Sequence, residues 1–489
     1  MMVPEAALLL MTATAEPHRQ HYGITLAVLA LSGVSFALLQ SLVAPALPEI
    51  QRSLHTSESA ATWILTAYLL SASVATPLLG RLGDIHGKEH VLVGVLIVLG
   101  LGTLISALAT SIDVLVLGRV VQGVGGGIFP LAFGIIRDEF PRERVAGGIG
   151  LMSAILGIGG GAGIVLAGVI VDHLSYHWLF WFPLVTVAVA AVATALYVPE
   201  SPVRAAGRIE WGAAALLSGG LGAVLIAVSQ AATWGWGSPR MLGLAAAGLL
   251  LLVAWVRREL SSPTPLVDMR VMRLRGVWTT NLVGFMLGFG MFSSFIVIPQ
   301  LVELPRSTGY GFGASVTGAG LFLLPSTVAM LFVGPMAGSL ERRFGSKPPL
   351  LAGAIFAAAA FVLLGVAHST PAEIYVASGL LGIGIGLAFA AMANLIVVAV
   401  PPDQTGVATG MNTIARSIGG ALGSQVIASI LTSNVVGGVP TEHGFTLAFW
   451  LAAGALVVSA FAAAAVPGRS PAEEARALGV TPERVGVQS

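Results

Sequence analysis

The sequence predicts an all-α polytopic membrane protein: two pseudo-symmetric six-helix bundles with two further helices inserted between them. Three observations predict it. Fourteen apolar segments are each long enough to cross a bilayer, the basic residues between them fall almost entirely on one side, and the chain repeats itself at an offset of about 260 residues. The hydrophobic fraction is 56% and charged residues are only 10%, against about 25% in an average soluble domain. Mean hydropathy is +0.90. A chain of this composition takes the bilayer as its solvent.

The predicted spans are 23–46, 60–80, 90–109, 113–134, 146–171, 178–198, 211–230, 240–257, 277–301, 314–337, 348–367, 373–398, 404–431 and 445–466. All are read as helices, because backbone facing lipid must satisfy its own hydrogen bonds. Pro141, Pro199, Ser261-Ser262-Pro263 and Pro401-Pro402 punctuate them. The segment 211–230 is the weakest, since its Gly-rich middle and Trp234-Gly235-Trp236 end look partly interfacial. Spans of about 20 residues leave connections too short for a fused soluble catalytic domain. Cysteine is absent, which removes disulfides, thiolate nucleophiles and Cys-type zinc sites. No basic n-region precedes the short apolar run Ala6–Met11, so the first residues read as a cytosolic tail rather than a signal peptide.

An even number of spans puts both ends on one side. With the N-terminus inside, 19 of the 24 Lys and Arg residues fall on inner segments. They include Arg81, Lys88, Arg137, Arg142, Arg144, Arg257, Arg258, Arg270, Arg273, Arg275, Arg342, Arg343 and Lys347. Only Arg52, Arg240 and Arg306 fall outside, and Arg119 and Arg416 lie within spans. Positive loops stay in the cytoplasm, so the bias sets the orientation and supports the span count. The organisation is then a tail (1–22), a first bundle (23–198), a linker with two extra spans (199–276), a second bundle (277–466) and a second cytosolic tail (467–489).

The repeat supports the same division. Gly80, Leu82 and Gly87 recur as Gly338, Leu340 and Gly345; Gly123, Gly125 and Gly127 as Gly382, Gly384 and Gly386; Pro141 as Pro401; Gly159, Gly160 and Gly163 as Gly419, Gly420 and Gly423. Parallel repeats of this kind mark secondary transporters, with the substrate site where the repeats meet.

Three segments carry the most specific signals. Gly80-Arg81-Leu82-Gly83-Asp84-Ile85-His86-Gly87-Lys88 joins spans two and three. Gly80 and Gly87 permit a tight turn and close helix approach. Asp84 puts negative charge where a helix N-terminus from the other half can meet it, and Lys88 can bridge it to Asp138. An ordinary basic inner loop is the plainer alternative. Span four holds Arg119-Val120-Val121-Gln122-Gly123. A guanidinium at that depth costs about 2.5–3.5 kcal/mol on insertion scales, so Arg119 either faces a polar cavity or snorkels roughly 10 Å to the surface. Span five holds Gly159, Gly163 and Gly168, small residues that suit close helix packing. The run 157–162 superficially fits a dinucleotide loop, but it sits in an apolar span with no preceding strand.

These residues resemble the major facilitator superfamily, and within it the fourteen-helix drug:proton antiporter branch. The resemblance covers nearly the whole chain and implies the major facilitator fold. It implies a conformational latch at Gly80, Asp84, Gly87, Lys88 and Asp138, a cavity and proton-coupling role for Arg119 with Gln122, and export of bulky amphipathic compounds, cationic ones among them, against protons. Three departures qualify it. Glu89 stands where the family usually has a second base. Ile164 replaces the Pro of the span-five signature. Leu39 occupies the place of an acid usually embedded in span one.

Asn412-Thr413-Ile414-Ala415-Arg416-Ser417-Ile418-Gly419-Gly420 resembles a further family pattern, with Arg416 either a cavity residue or a structural anchor. Gln40, Asn281, Asn394 and Asn412 either line the cavity or bond between helices. Phe285, Met286, Phe289 and Phe292 form a stripe that either packs or holds an apolar ligand. Asp113 reads as a helix cap, Glu303 as interfacial, and Asp172, His173 and His177 as an outer turn rather than a metal site. No mid-span carboxylate and no cluster of catalytic residues is evident. The expected partners are a small-molecule substrate, protons and membrane lipids, with no cofactor, metal, nucleic acid or obligate protein partner. A uniporter or importer is the nearest alternative, and a non-transporting lipid receptor or scaffold the next.

Overall fold

The computed structural model describes residues 22–467, apart from 206, 207 and 264. The terminal tails and their basic residues Arg19, Arg469, Arg476 and Arg484 lie outside the described residues. The first bundle runs α1 (Tyr22–Ser41), α2 (Val43–Ser53), α3 (Glu58–His86), α4 (Lys88–Ala107), α5 (Ile112–Gln122), a 3-10 stretch Gly123–Gly127, α6 (Ile128–Glu139), α7 (Arg142–His173) and α8 (Trp178–Tyr197). Next come α9 (Trp211–Ser229), the single turn α10 (Ala231–Trp234), α11 (Pro239–Ser261) and the single turn α12 (Met269–Met272). The second bundle is α13 (Arg275–Glu303), α14 (Val316–Phe344), α15 (Lys347–Val366), α16 (Pro371–Ala399), α17 (Thr405–Ser433) and α18 (Glu442–Ala464). Among the described residues, thirteen helical segments are long and apolar enough to cross a membrane. The remaining long helix, α7, packs along α14 and α1.

Most long helices that start at the end opposite the 80–88 loop carry a side-chain cap, α8 excepted. Ser57, Ser111, Ser238, Ser315 and Thr441 each accept a backbone N–H from the first turn of the helix they precede, and Thr370 forms a reciprocal capping box with Glu373. Asp113 is therefore a first-turn acid, where the helix dipole favours it, and Ser111 is the cap. The helices that start at the opposite end, α4, α7, α13, α15 and α17, have no side-chain cap of their own. That end carries the 80–88 loop and is called the motif end below.

The segment 211–230 forms the expected helix over Trp211–Ser229, long and apolar enough to cross a membrane. Two further details depart from the sequence expectation. Span one is broken at Leu42, between α1 and α2. A two-stranded hairpin, β1 (Val435–Val436) and β2 (Val439–Pro440), separates α17 from α18, turning through Gly437 and Gly438 at φ 63° and 85°. That conformation matches the hairpin turns that favour glycine.

One apolar core gathers residues from Val28 to Val198 with Ala393 and Val397 of α16, and a second gathers residues from Val283 to Val466. The helices α9 and α11 pack on each other, and α9 rests on α3 and α17, outside the seam between the bundles. At the seam α7 lies against α14 through facing small residues. A Cβ on Gly150 would sit 2.6 Å from the Gly334 carbonyl oxygen, and one on Gly338 would sit 2.8 Å from Gly147. Gly159 packs on Ala37 and Gly163 on Ser41 within the first bundle, whereas Gly168 packs on Thr317 of the second. All three glycines occupy close helix contacts.

Gly334→Val is expected to force α7 and α14 apart and destabilise the protein by about 1–3 kcal/mol, as overpacking does. Gly454→Ala, in open space on α18, is the control. Thermal unfolding in detergent checks the pair, and equal midpoints would contradict the close-packed seam.

Candidate functional site

The motif end is built from the 80–88 loop outward. Gly87 takes φ 106°, and a side chain there would strike Glu200. Gly80 lets α3 approach α17 until a Cβ would lie 2.5 Å from the Gly406 carbonyl oxygen. Asp84 is fully buried, and its two carboxylate oxygens accept the N–H groups of Gly406 at 3.3 Å and Val407 at 3.2 Å. These are the second and third amides of α17, the pair that a local cap would satisfy. Asp84 thus caps a helix of the other bundle.

Lys88, also fully buried, reaches Asp138 at 2.8 Å and Asp84 at 3.7 Å. Its stem passes over Gly134, whose missing side chain leaves the room. Ser201 donates to Asp138 at 2.5 Å, and the Ala205 N–H donates to the Asp84 carbonyl at 2.5 Å, so the start of the linker closes over the loop. Arg137 completes the contact between bundles. It donates to the Val400 carbonyl at 2.9 Å and the Thr405 hydroxyl at 2.5 Å. A guanidinium therefore holds the C-terminal end of α16 while a carboxylate holds the N-terminal end of α17, each matching the dipole it faces. Sequence reasoning counted Arg137 only as a basic loop residue. Its signal was its place between two helices, directly before Asp138.

Arg119 is fully buried within the first bundle and lines neither of the two cavities described below. Its Nε donates to the Ile64 carbonyl at 3.1 Å, and Nη1 donates to the Leu39 carbonyl at 3.0 Å and to Gln122 Oε1 at 2.7 Å. Gln122 in turn donates to Thr103 at 3.1 Å and also lines neither of those cavities. The guanidinium lies 4.0 Å from the centre of the Tyr68 ring, a cation–π contact. The break at Leu42 leaves the Leu39 carbonyl available. A backbone oxygen thus serves Arg119 at the very residue where the family's acid is missing.

Two small, neighbouring cavities lie between the bundles, with volumes of about 10 and 30 Å³, room for roughly a water molecule or two. Leu156, Thr413 and Arg416 line both. Asn412, Phe133 and Phe389 line the smaller, and Gln40, Phe36 and Phe292 the larger. Arg416 stacks on Phe389 at 4.8 Å. Asn412 also donates to Asn281 Oδ1 at 3.0 Å, joining α17 to α13.

The remaining candidates fall elsewhere. Asn394 bonds the buried Glu341, and Ser346 at 3.1 Å, in the second bundle's counterpart of the motif loop. It belongs to no cavity described above. Phe285 and Phe289 pack against Gly419 and Gly423 at the α13–α17 contact, and it is Phe292 of the stripe that reaches the cavity wall. The carboxylates of Glu89 and Glu200 gather with His90, their donor atoms within 4.8 Å of one another. They pair with each other, and Glu200 also with Arg204 at 3.3 Å, so their chemistry is that of a loop clasp.

Lys88→Ala would leave two buried carboxylates without their cation, and is expected to cost about 3–5 kcal/mol. Arg52→Ala removes only the exposed pair with Glu49 and should change stability by less than about 1 kcal/mol. Thermal unfolding in detergent checks both, and equal effects would contradict the buried network.

The comparisons with known proteins agree with this architecture. "Multidrug transporter protein MdtP" of Bacillus subtilis is 28% identical over 81% of this chain and 73% of its own length. The "Uridine/deoxyuridine transporter" of Lactococcus lactis is 28% identical over 81% and 85%. The crystal structure of the human organic anion transporter MFSD10 (TETRAN) superposes with a TM-score of 0.65 at 16% identity, over 91% of this chain and 99% of that one. It shares the fold. The family description "Major Facilitator Superfamily" matches residues 29–424 and 280–489, and with the duplicated bundles this chain belongs to that superfamily of membrane transporters.

Proposed function

We propose that the protein exports hydrophobic or amphipathic drug-like molecules by alternating access, coupled to proton entry. In this reading it sits in the plasma (inner) membrane with both termini and the motif end in the cytoplasm. The observation that carries alternating access is the buried Asp84–α17 contact, in which hydrogen bonds tie the two bundles together at the motif end. The contracted cavity beside it would widen as the bundles rock apart. The positive-inside bias supports the orientation. Export of drug-like compounds draws on the relative named for multidrug transport and on the aromatic cavity wall.

Uncoupled transport of a small metabolite is the second reading. None of the residues lining either cavity is a carboxylate, and one relative is named for nucleosides.

The two readings separate in proteoliposomes. The probe is a compound whose toxicity rises when the gene is deleted. Antiport predicts uphill flux that stops when an imposed proton gradient is collapsed, and unchanged flux after collapse would decide for the uniporter.

The latch has its own test. The chain has no cysteine, so Thr409→Cys, one turn inside α17 on the cavity wall, is a clean reporter. Asp84→Asn removes the charged acceptor, and about a tenfold rise in maleimide labelling of Cys at that position is expected, matching the loss of one charge-assisted hydrogen bond. Unchanged labelling in a folded variant would count against the latch.

A further inference from the structure

We infer that the central cavity selects amphipathic organic anions, the acidic group pairing with Arg416 and the apolar body lying against Phe389 and Phe292. This rests on the transporter reading and names its substrate class.

Arg119 and Arg137 are each supplied with several acceptors, although among the described residues Arg119 Nη2 and the buried Arg81 Nε are left without one. Arg119 has two carbonyls and Gln122, and Arg137 has the Val400 carbonyl and the Thr405 hydroxyl. Arg416 differs. Among the described residues its guanidinium makes no hydrogen bond or ion pair, and its one recorded side-chain partner is the Phe389 ring. It lines both cavities, at the space between the bundles. No acidic residue shares that wall, while Gln40, Thr413 and Ser417 add only neutral polar groups.

An uncompensated cation in a low-dielectric site is costly, and an anion entering from water relieves that cost. The planar fork of an arginine matches a carboxylate or sulfonate with two parallel hydrogen bonds. A ligand cation would meet like charge at short range, with little screening. Amphipathic character follows from the ring faces on either side, Phe389 in one cavity and Phe292 in the other.

Three matched probes test this in full-length protein in phosphatidylcholine nanodiscs: 1-naphthoate, 1-naphthamide and 1-naphthylmethylammonium. Naphthoate is expected to bind more tightly than the amide, and the ammonium most weakly. Arg416→Gln should lower naphthoate affinity by about tenfold or more, the scale of a hydrogen bond to a charged group, and Arg416→Lys by less. Saturating naphthoate should also protect Arg416 of the unaltered protein from phenylglyoxal, read by peptide mass spectrometry. That arm holds even where a variant does not fold. Ammonium binding as tight as naphthoate, no saturable naphthoate binding, or absent protection overturns the inference. Naphthoate binding without flux in proteoliposomes would remove the transport reading and leave this one standing. Proton-driven flux of a cation, indifferent to Arg416→Gln, would do the reverse.

Discussion

The N-terminus of α17 has no cap of its own, and the architecture depends on where it finds one. Gln404 precedes the helix and provides no side-chain hydrogen bond. The missing acceptor comes from Asp84, more than 320 residues earlier in the chain. A local cap stabilises a helix by about 1 kcal/mol. Moving the cap to the other bundle turns the same free energy into attraction between the bundles. Arg137 does the corresponding work on the last carbonyls of α16. One helix corner of the second bundle is therefore held at both of its dipole ends by the first. Lys88 lies 3.7 Å from Asp84 and helps hold it in place, and Gly80 brings the backbones close enough for the contact to form.

The two bundles repeat in sequence but not in chemistry. At the counterpart of the motif loop, Arg342 stands at the position of Asp84. The buried carboxylate is Glu341, one residue earlier, and it bonds the neutral groups of Ser346 and Asn394. No ion pair involving Glu341 is found among the described residues. The α7–α14 seam, which faces this second loop, is held by backbone packing at Gly147, Gly150, Gly334 and Gly338. One crossing is thus charged and the other apolar, so an ionic change acts on the first far more than on the second.

Much of the fold was legible in the sequence, because bilayer length, charge bias and the repeat are each properties of many residues together. The loop around Asp84 was legible too, since a buried acid at a helix end has few partners other than a helix N-terminus. What stayed hidden depends on azimuth. Depth along a span does not give the side of the helix on which the acceptors of Arg119 lie, and two of those acceptors are carbonyls that no side-chain pattern reveals. The same limit explains why Phe292 rather than Phe285 or Phe289 meets the cavity, and why Asn394 serves a loop at the motif end. Span-by-span reading also missed the hairpin, since Gly437-Gly438 falls in a connection too short to register as an element.

The partner that Leu39 offers Arg119 is main-chain oxygen, and this changes what genetics can see. Every amino acid placed at 39 carries the same carbonyl, so a substitution scan would score the position as tolerant while the contact persisted. Selection acting on that hydrogen bond would leave its trace instead in whatever keeps the backbone broken at the next turn, around Leu42 and Pro45. A carbonyl also has no proton to exchange, so this contact holds the same charge state at every pH that the membrane experiences.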